Sequence, residues 1–248
     1  MSALDNRIII VTGAASGIGK GIATRLAADG ATIVVADLDA AKSQETASAL
    51  GNDSIGVAVD VTDRTKVDAM TAKVVETFGR IDVLVNNAGW DKVEPFMDST
   101  AETWDRVIAI NLIGTLNCTQ SVASHMIAAE SGAVISIGSD AGRVGSSGEA
   151  VYSAAKGGII SFSKTFAREV ARHNITSNCV CPGPADTPLF AEISEDNPKL
   201  RTALEKAIPM RRLAQPDDLA NAVAFFASPE SNYVTGQTLS VSGGLTMA

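Results

Sequence analysis

The chain has 248 residues, 46% of them hydrophobic and 19% charged, which is enough apolar material for a sizeable core and too much for a disordered chain. Its net charge of −8 argues against a general attraction to nucleic acid or to an anionic membrane surface. The three cysteines, Cys118, Cys179 and Cys181, form no paired framework and fit a reducing cytoplasm. With only His125 and His173 available to complete a ligand set around the C-x-C, no metal site is expected.

Short apolar runs alternate with longer helical patterns along the whole chain. "RIIIVTG" (7–13) reads as a buried strand, and 17–30 places Ile18, Ile22, Leu26 and Ala27 at helical spacing before Gly30. "ATIVVAD" (31–37) is a strand, 40–50 a helix, "SIGVAVD" (54–60) a strand, and 64–79 a helix. "IDVLVNNAG" (81–89) is the fourth strand, followed by one long helix over 103–130 and a fifth strand over 132–139. A helix carrying Tyr152 runs to about His173, and "ITSNCVCPG" (175–183) is a sixth strand. Residues 184–214 hold Pro184, Pro188, Pro198 and Pro209 and read as irregular or weakly helical. A helix from Pro216 and the strand "GQTLSVSGG" close the pattern. Apolar strands separated by amphipathic helices predict an α/β fold, a doubly wound parallel sheet covered on both faces. No linker or repeat divides the chain, so residues 1–248 are expected to form a single domain that binds a dinucleotide and carries the catalytic groups, with a substrate lid at 184–214. No secretory leader and no run of about 18 apolar residues is present, so a soluble, cytoplasmic protein off the membrane is expected.

Between the first strand and first helix, "TGAASGIGKG" places Gly13, Ser16, Gly17, Ile18 and Gly19 in a tight turn. Its glycines admit a ligand close to the backbone, and the helix N-terminus offers free N–H groups to a pyrophosphate. Asp37 ends the second strand, where a carboxylate accepts hydrogen bonds from ribose hydroxyls and repels a 2′-phosphate. No Lys or Arg follows directly in "ADLDAAK", which favours NAD over NADP. Asp60 and Val61 end the third strand and are expected to flank the adenine. Tyr152 and Lys156 are four residues apart, so they share a helical face; a cation beside a phenol favours the phenolate and is expected to lower the tyrosine pKa.

These motifs resemble the short-chain dehydrogenase/reductase family over essentially the whole chain. The marks are "TGAASGIG" (12–19), "NNAG" (86–89), Asn111, Ser139, "YSAAK" (152–156) and "PGPADT" (182–187), in order and at family spacing. The resemblance implies a Rossmann-type fold, a homotetramer and a catalytic group of Asn111, Ser139, Tyr152 and Lys156. In that group Tyr152 carries the proton, Ser139 hydrogen-bonds the substrate oxygen, Lys156 also holds the nicotinamide ribose, and Asn111 holds a water. It also implies that Asn87, Ala88 and Gly89 support the cofactor site, and that Pro182, Gly183 and Thr187 meet the nicotinamide end.

The stretches "NNAGWD", "SDAGRVGSSGEAVY", "CPGPADT" and "GQTLSVSGGLTM" further resemble 2-hydroxycyclohexane-1-carboxyl-CoA dehydrogenases. Trp90, Arg143, Ser146, Ser147 and Glu149 are the unusual members. Trp90 would wall a ring, and Arg143 or the pair Arg211 and Arg212 would meet a CoA phosphate. The small-molecule substrate is therefore expected to be an alcohol or ketone, with a CoA thioester as the favoured class. The alternatives are a 3-oxoacyl-carrier reductase, which resemblance ties to NADPH and Asp37 disfavours, a small secondary-alcohol dehydrogenase, an extended-type epimerase, and a non-catalytic NAD-binding sensor or scaffold.

Overall fold

The computed structural model describes residues 3–195 and 199–247. Seven strands form one sheet: β1 (Ile8–Thr12), β2 (Thr32–Asp37), β3 (Ile55–Ala58), β4 (Val83–Asn86), β5 (Gly132–Ile137), β6 (Ile175–Pro182) and β7 (Thr238–Val241). Their order is β3-β2-β1-β4-β5-β6-β7, and every pairing is parallel.

The period of two along β1 explains why the sheet must be covered twice. Ile9 and Val11 pack into one core with Ile22, Leu26, Leu219 and Val223. Ile8 and Ile10 pack into the opposite core with Met70, Val74, Val122 and Met126. Those partners come from helices on the two faces. The helices are α1 (Gly17–Ala28), α2 (Ala40–Leu50), α3 (Arg64–Phe78), α4 (Ala101–Ile108), α5 (Gly114–Ala129), α6 (Ala141–Val144), α7 (Ala150–Val170), α8 (Pro188–Ser194), α9 (Leu200–Ala207) and α10 (Pro216–Ala227). Side-chain caps define several starts: Asp39 accepts from Lys42 N, Asp63 from Thr65 N and Lys66 N, and Thr100 from Thr103 N.

Strand order reverses between β1 and β4. From β1 the chain moves outward to β2 and β3, then returns past β1 to β4. A crevice forms outside the carboxyl ends of the strands at such a switch point. The motifs after β1, β2, β4 and β5 all converge there.

One segment differs from the sequence expectation. The long helix runs over 101–129 but is not uniform: residues 109–113 form a π-turn between α4 and α5, centred on Asn111. Residues 184–214 contain α8 and α9 and are tied down at both ends, with Ala185 bridged to Ala214 and Asp186 paired with Arg201. Pro198, one of the expected helix breakers, lies outside the described residues. The 101–129 helix is long and apolar enough by composition to cross a membrane, but half of that apolar window is buried inside the fold, where it packs as a core helix.

Candidate active site

A cleft of about 1100 Å³ lies along the carboxyl ends of the strands. At one end are the turn after β1 and the ends of β2 and β3; at the other are the segments after β4, β5 and β6, with α8 and α9 above them.

The β1–α1 turn is held from below. Asn87 Nδ2 donates to Thr12 O at 2.9 Å and Gly13 O at 3.1 Å, while Asn87 N and Ala88 N both donate to Thr12 Oγ1 at 3.0 Å. Gly19 permits that closeness: a Cβ there would lie 2.1 Å from Gly13 O and 2.4 Å from Asn87 Nδ2. Ser16, the residue before α1, makes no side-chain cap, so the first-turn amides stay available to an anion in the cleft. Gly13, Ser16, Gly17, Ile18 and Gly19 all line this end. Asp37 also lines it, with Oδ2 accepting from Ala15 N at 3.0 Å, so the same carboxylate fixes the turn and faces the cleft. No cation among the described residues pairs with it: Lys42, the nearest basic residue in sequence, bridges to Asp39 instead. Asp60 and Val61 line the neighbouring wall, where Thr62 hydrogen-bonds the Asp60 carboxylate and holds its pKa below the usual value.

At the other end, Ser139, Tyr152 and Lys156 line the cleft together, with Asn111 behind them. Tyr152 and Lys156 lie one turn apart on α7, and Lys156 Nζ sits 5.5 Å from the centroid of the Tyr152 ring. Ser139 lines the cleft beside Tyr152 and favours the ionised form of its phenol. Lys156 is buried and donates to Ile137 O at 2.9 Å. Asn111 is wholly buried in the π-turn; its Nδ2 donates to Trp90 O at 2.6 Å and Val107 O at 2.9 Å. Its Oδ1 has no donor among the described residues. A Cβ on Gly89 would lie 2.9 Å from that Oδ1 and 3.6 Å from Lys156 Nζ, so a bare glycine preserves a small polar recess between them. A π-turn locally widens a helix, and here it brings an internal asparagine towards the site.

The electrostatics correct one sequence expectation. The Tyr152 pKa is raised, not lowered: burial disfavours the phenolate, the acids Asp91 and Glu149 add to that, and Ser139 opposes it only in part. Burial also pushes Lys156 down to about 8, against the pull of Cys179, Cys181 and Asp91. Cys179 and Cys181 lie side by side behind this lysine, their sulfurs 3.9 Å apart and wholly buried.

The remaining predicted residues divide. Ala88, Gly89, Trp90, Ser146, Ser147, Glu149, Pro182, Gly183 and Thr187 line the cleft. Thr187 also caps α8 by accepting from Phe190 N at 3.1 Å. Three arginines expected near a CoA phosphate do not line it. Arg143 turns inward to Ser240 and lies 3.9 Å from Asp140. Arg211 donates to Lys206 O, and Arg212 pairs with Asp218 at the start of α10. Each is held by a partner outside the cleft lining.

Sequence reasoning missed two residues. Arg106 lines the cleft and stacks its guanidinium 3.8 Å above the Trp90 ring, a contact between α4 and the β4 loop that no local pattern announces. Asp91 is buried next to Trp90 and faces Glu149. Its signal was in the sequence, as the charged residue directly after an apolar strand and "NNAGW".

The comparisons with known proteins agree with this geometry. A family model described as "Enoyl-(Acyl carrier protein) reductase" matches residues 13–246. The (2S)-[(R)-hydroxy(phenyl)methyl]succinyl-CoA dehydrogenase subunit BbsD of Thauera aromatica is 38% identical over 247 residues, covering 98% of each chain. The 3-oxoacyl-[acyl-carrier-protein] reductases FabG of Thermotoga maritima and Escherichia coli are 38% and 39% identical, covering 98% of this chain and 99% and 98% of their own. The crystal structure of gox2181 superposes with a TM-score of 0.94 at 35% identity, over 98% of this chain and 96% of that one.

Proposed function

Given that the chain belongs to the short-chain dehydrogenase/reductase family, oxidoreductases acting on CH–OH and ketone groups, we propose that it is an NAD-dependent dehydrogenase of cyclic hydroxyacyl-CoA thioesters. The observation that carries the reading is a single cleft with Asp37 at one end and Ser139, Tyr152 and Lys156 at the other.

The residues present fit a nicotinamide dinucleotide. The uncapped first turn of α1 suits the pyrophosphate, Asp37 suits an unphosphorylated ribose, and the carboxyl ends of β5 and β6 suit the nicotinamide. Lys156 is the candidate for the second ribose, with Thr187 near the carboxamide. When bound, the nicotinamide supplies the hydride acceptor or donor. Tyr152 Oη moves the proton to or from the substrate oxygen, and Ser139 Oγ orients that oxygen. A phenol held protonated by burial acts as the acid for ketone reduction as it stands. Alcohol oxidation requires a cation to reach the phenol, and the buried Lys156 is placed for that. Asn111 Oδ1, facing Lys156 with no donor of its own, accepts from a water that relays the proton.

For the substrate, Trp90 offers a flat apolar wall, and α8 and α9 form the lid with Leu189, Phe190, Leu200 and Leu204 against the cleft. The name of the Thauera relative, a dehydrogenase of a substituted succinyl-CoA, supports an acyl-CoA substrate. The FabG relatives favour a second reading, a 3-oxoacyl thioester reductase, in which the same groups run in the reducing direction. The deciding assay follows NADH formation from NAD⁺ with 2-hydroxycyclohexanecarboxyl-CoA, cyclohexanol, and a 3-hydroxyacyl thioester, and repeats it with NADP⁺. Preference for the cyclic thioester and NAD⁺ supports the proposal. Preference for the linear thioester with NADP⁺ favours the second reading, and no turnover with intact NAD⁺ binding sinks both. A homotetramer belongs to the same proposal and is tested by light scattering.

A further inference from the structure

Asp91 stands directly after Trp90 in the β4 loop, and only 7% of it is exposed. Its Oδ2 is buried and meets no donor among the described residues. What it faces is another acid, Glu149, which precedes the first turn of α7 and lies three residues before Tyr152. The two carboxyls are close enough to share a hydrogen bond, and such a bond exists only when one of them carries a proton. Both border a small void next to Tyr152, and Glu149 also opens into the main cleft. The pair therefore runs from the buried base of the β4 loop to the place where a substrate meets the catalytic phenol.

We propose that Asp91 and Glu149 form a one-proton carboxyl pair that sets substrate class: the acyl group beside the reacting carbinol must be uncharged, as in a thioester, ester or amide, and a free carboxylate is rejected. This rests on the dehydrogenase reading above. Glu149 and Tyr152 line the same cleft, so a substrate whose hydroxyl reaches Tyr152 Oη carries its 2- or 3-acyl group towards Glu149. A carbonyl oxygen there accepts the shared proton, whereas a carboxylate meets a site that already holds negative charge. The nearby cations do not cancel it. Lys156 favours the charged form of Asp91 but is outweighed by burial and Glu149, Lys92 pairs with Glu94 at 2.6 Å and gives Asp91 only a backbone N–H, and Arg106 is stacked on Trp90. Burial first, then Glu149, raise the Asp91 pKa to about 7. Below that value Asp91 keeps its proton; above it Asp91 adds a negative charge to the pair. Rejection of the anion therefore sharpens as pH rises through 7. Glu149 contacts the substrate, and Asp91 is a positioning residue that acts through it.

The test uses three alcohols that differ in charge: cyclohexanol, methyl 2-hydroxycyclohexanecarboxylate, and the free 2-hydroxycyclohexanecarboxylate. NADH formation gives kcat/KM for the wild type, Glu149→Gln and Asp91→Asn, between pH 6 and pH 8.5. In the wild type the ester exceeds the acid by about 100-fold at pH 6, as for one like charge at roughly 5 to 7 Å in an effective dielectric of ~20. The ratio widens with pH. Glu149→Gln lowers it by about tenfold or more, and Asp91→Asn flattens its pH dependence. Equal use of ester and acid by the wild type, or preference for the acid through Arg106, overturns the proposal. So does an unchanged ratio in a folded Glu149→Gln protein. If Asp91→Asn does not fold, the wild-type pH series and the variant of the partly buried Glu149 still decide. Failure to oxidise any of the three alcohols or 2-hydroxycyclohexanecarboxyl-CoA, with NAD⁺ still bound, overturns the dehydrogenase reading itself.

Discussion

Replacing Gly19 by Ala tests whether the β1–α1 turn is the cofactor cradle. The added Cβ would sit 2.1 Å from Gly13 O and 2.4 Å from Asn87 Nδ2, where an ordinary contact needs more than 3 Å. Something must move by about 1 Å, and the first obstacle is backbone, which cannot rotate away. Gly13 O is itself held by Asn87 Nδ2 at 3.1 Å, so the displacement spreads to Asn87 and the end of β4. Overpacking of this kind costs about 1–3 kcal/mol of stability. The effect on binding is larger. A shift of the turn removes two amide hydrogen bonds to a charged pyrophosphate, each worth about 1.5–3 kcal/mol, which weakens NAD⁺ binding by roughly 10² to 10⁴-fold. The control is Gly21→Ala, whose Cβ would meet Pro216 Cβ at 2.5 Å on the α1–α10 contact, away from the cleft. It pays the steric cost without touching the cradle. Titration of NAD⁺ by calorimetry, beside denaturation midpoints for both variants, separates the two terms. A Gly19→Ala protein that binds NAD⁺ like Gly21→Ala refutes the assignment of this turn.

Three further outcomes are expected. Tyr152→Phe retains NAD⁺ binding within a few-fold and loses turnover by about 10² to 10⁴-fold in single-turnover kinetics; near-normal turnover would remove the phenol from the mechanism. Asp37→Ala lowers the NAD⁺ to NADP⁺ preference by about tenfold in kcat/KM, and an unchanged preference would mean that Asp37 serves only to hold Ala15 N. Lys156 leaves a pH signature in stability. Its folded pKa lies near 8 against about 10.4 unfolded, so between these values the unfolded chain binds more protons and stability rises with pH. From pH 7.5 to 9.5 this one group adds about 2 kcal/mol, which urea denaturation reads as a rise that Lys156→Met abolishes; a rise of the same size in the variant would place its origin elsewhere.

Local chemistry made most of the architecture readable, and the exceptions share one cause. A buried parallel strand such as Ile8–Thr12 needs apolar residues on both faces, so the sequence alone marks it, and the glycines of the next turn announce a close backbone approach. The π-turn at 109–113 has no such mark. Asn111 occupies a helical pattern, and only contact with Trp90 O, 21 residues away, shows why the helix bulges there. Arg143 fails for the same reason. A guanidinium finds its partner through a long flexible stem, so position in sequence does not say where the charge ends up. Arg143 reaches Ser240, 97 residues away, while the unremarked Arg106 reaches the cleft. The Tyr152 pKa inverts for a related reason. The i,i+4 lysine was visible, but burial and two acids, one of them on another element, outweigh it. Charge in this cleft is thus set by tertiary neighbours rather than by the motif. Two proteins that share "YSAAK" but differ at positions 91 and 149 should differ in the charge of the substrates they accept while keeping the same proton-transfer chemistry.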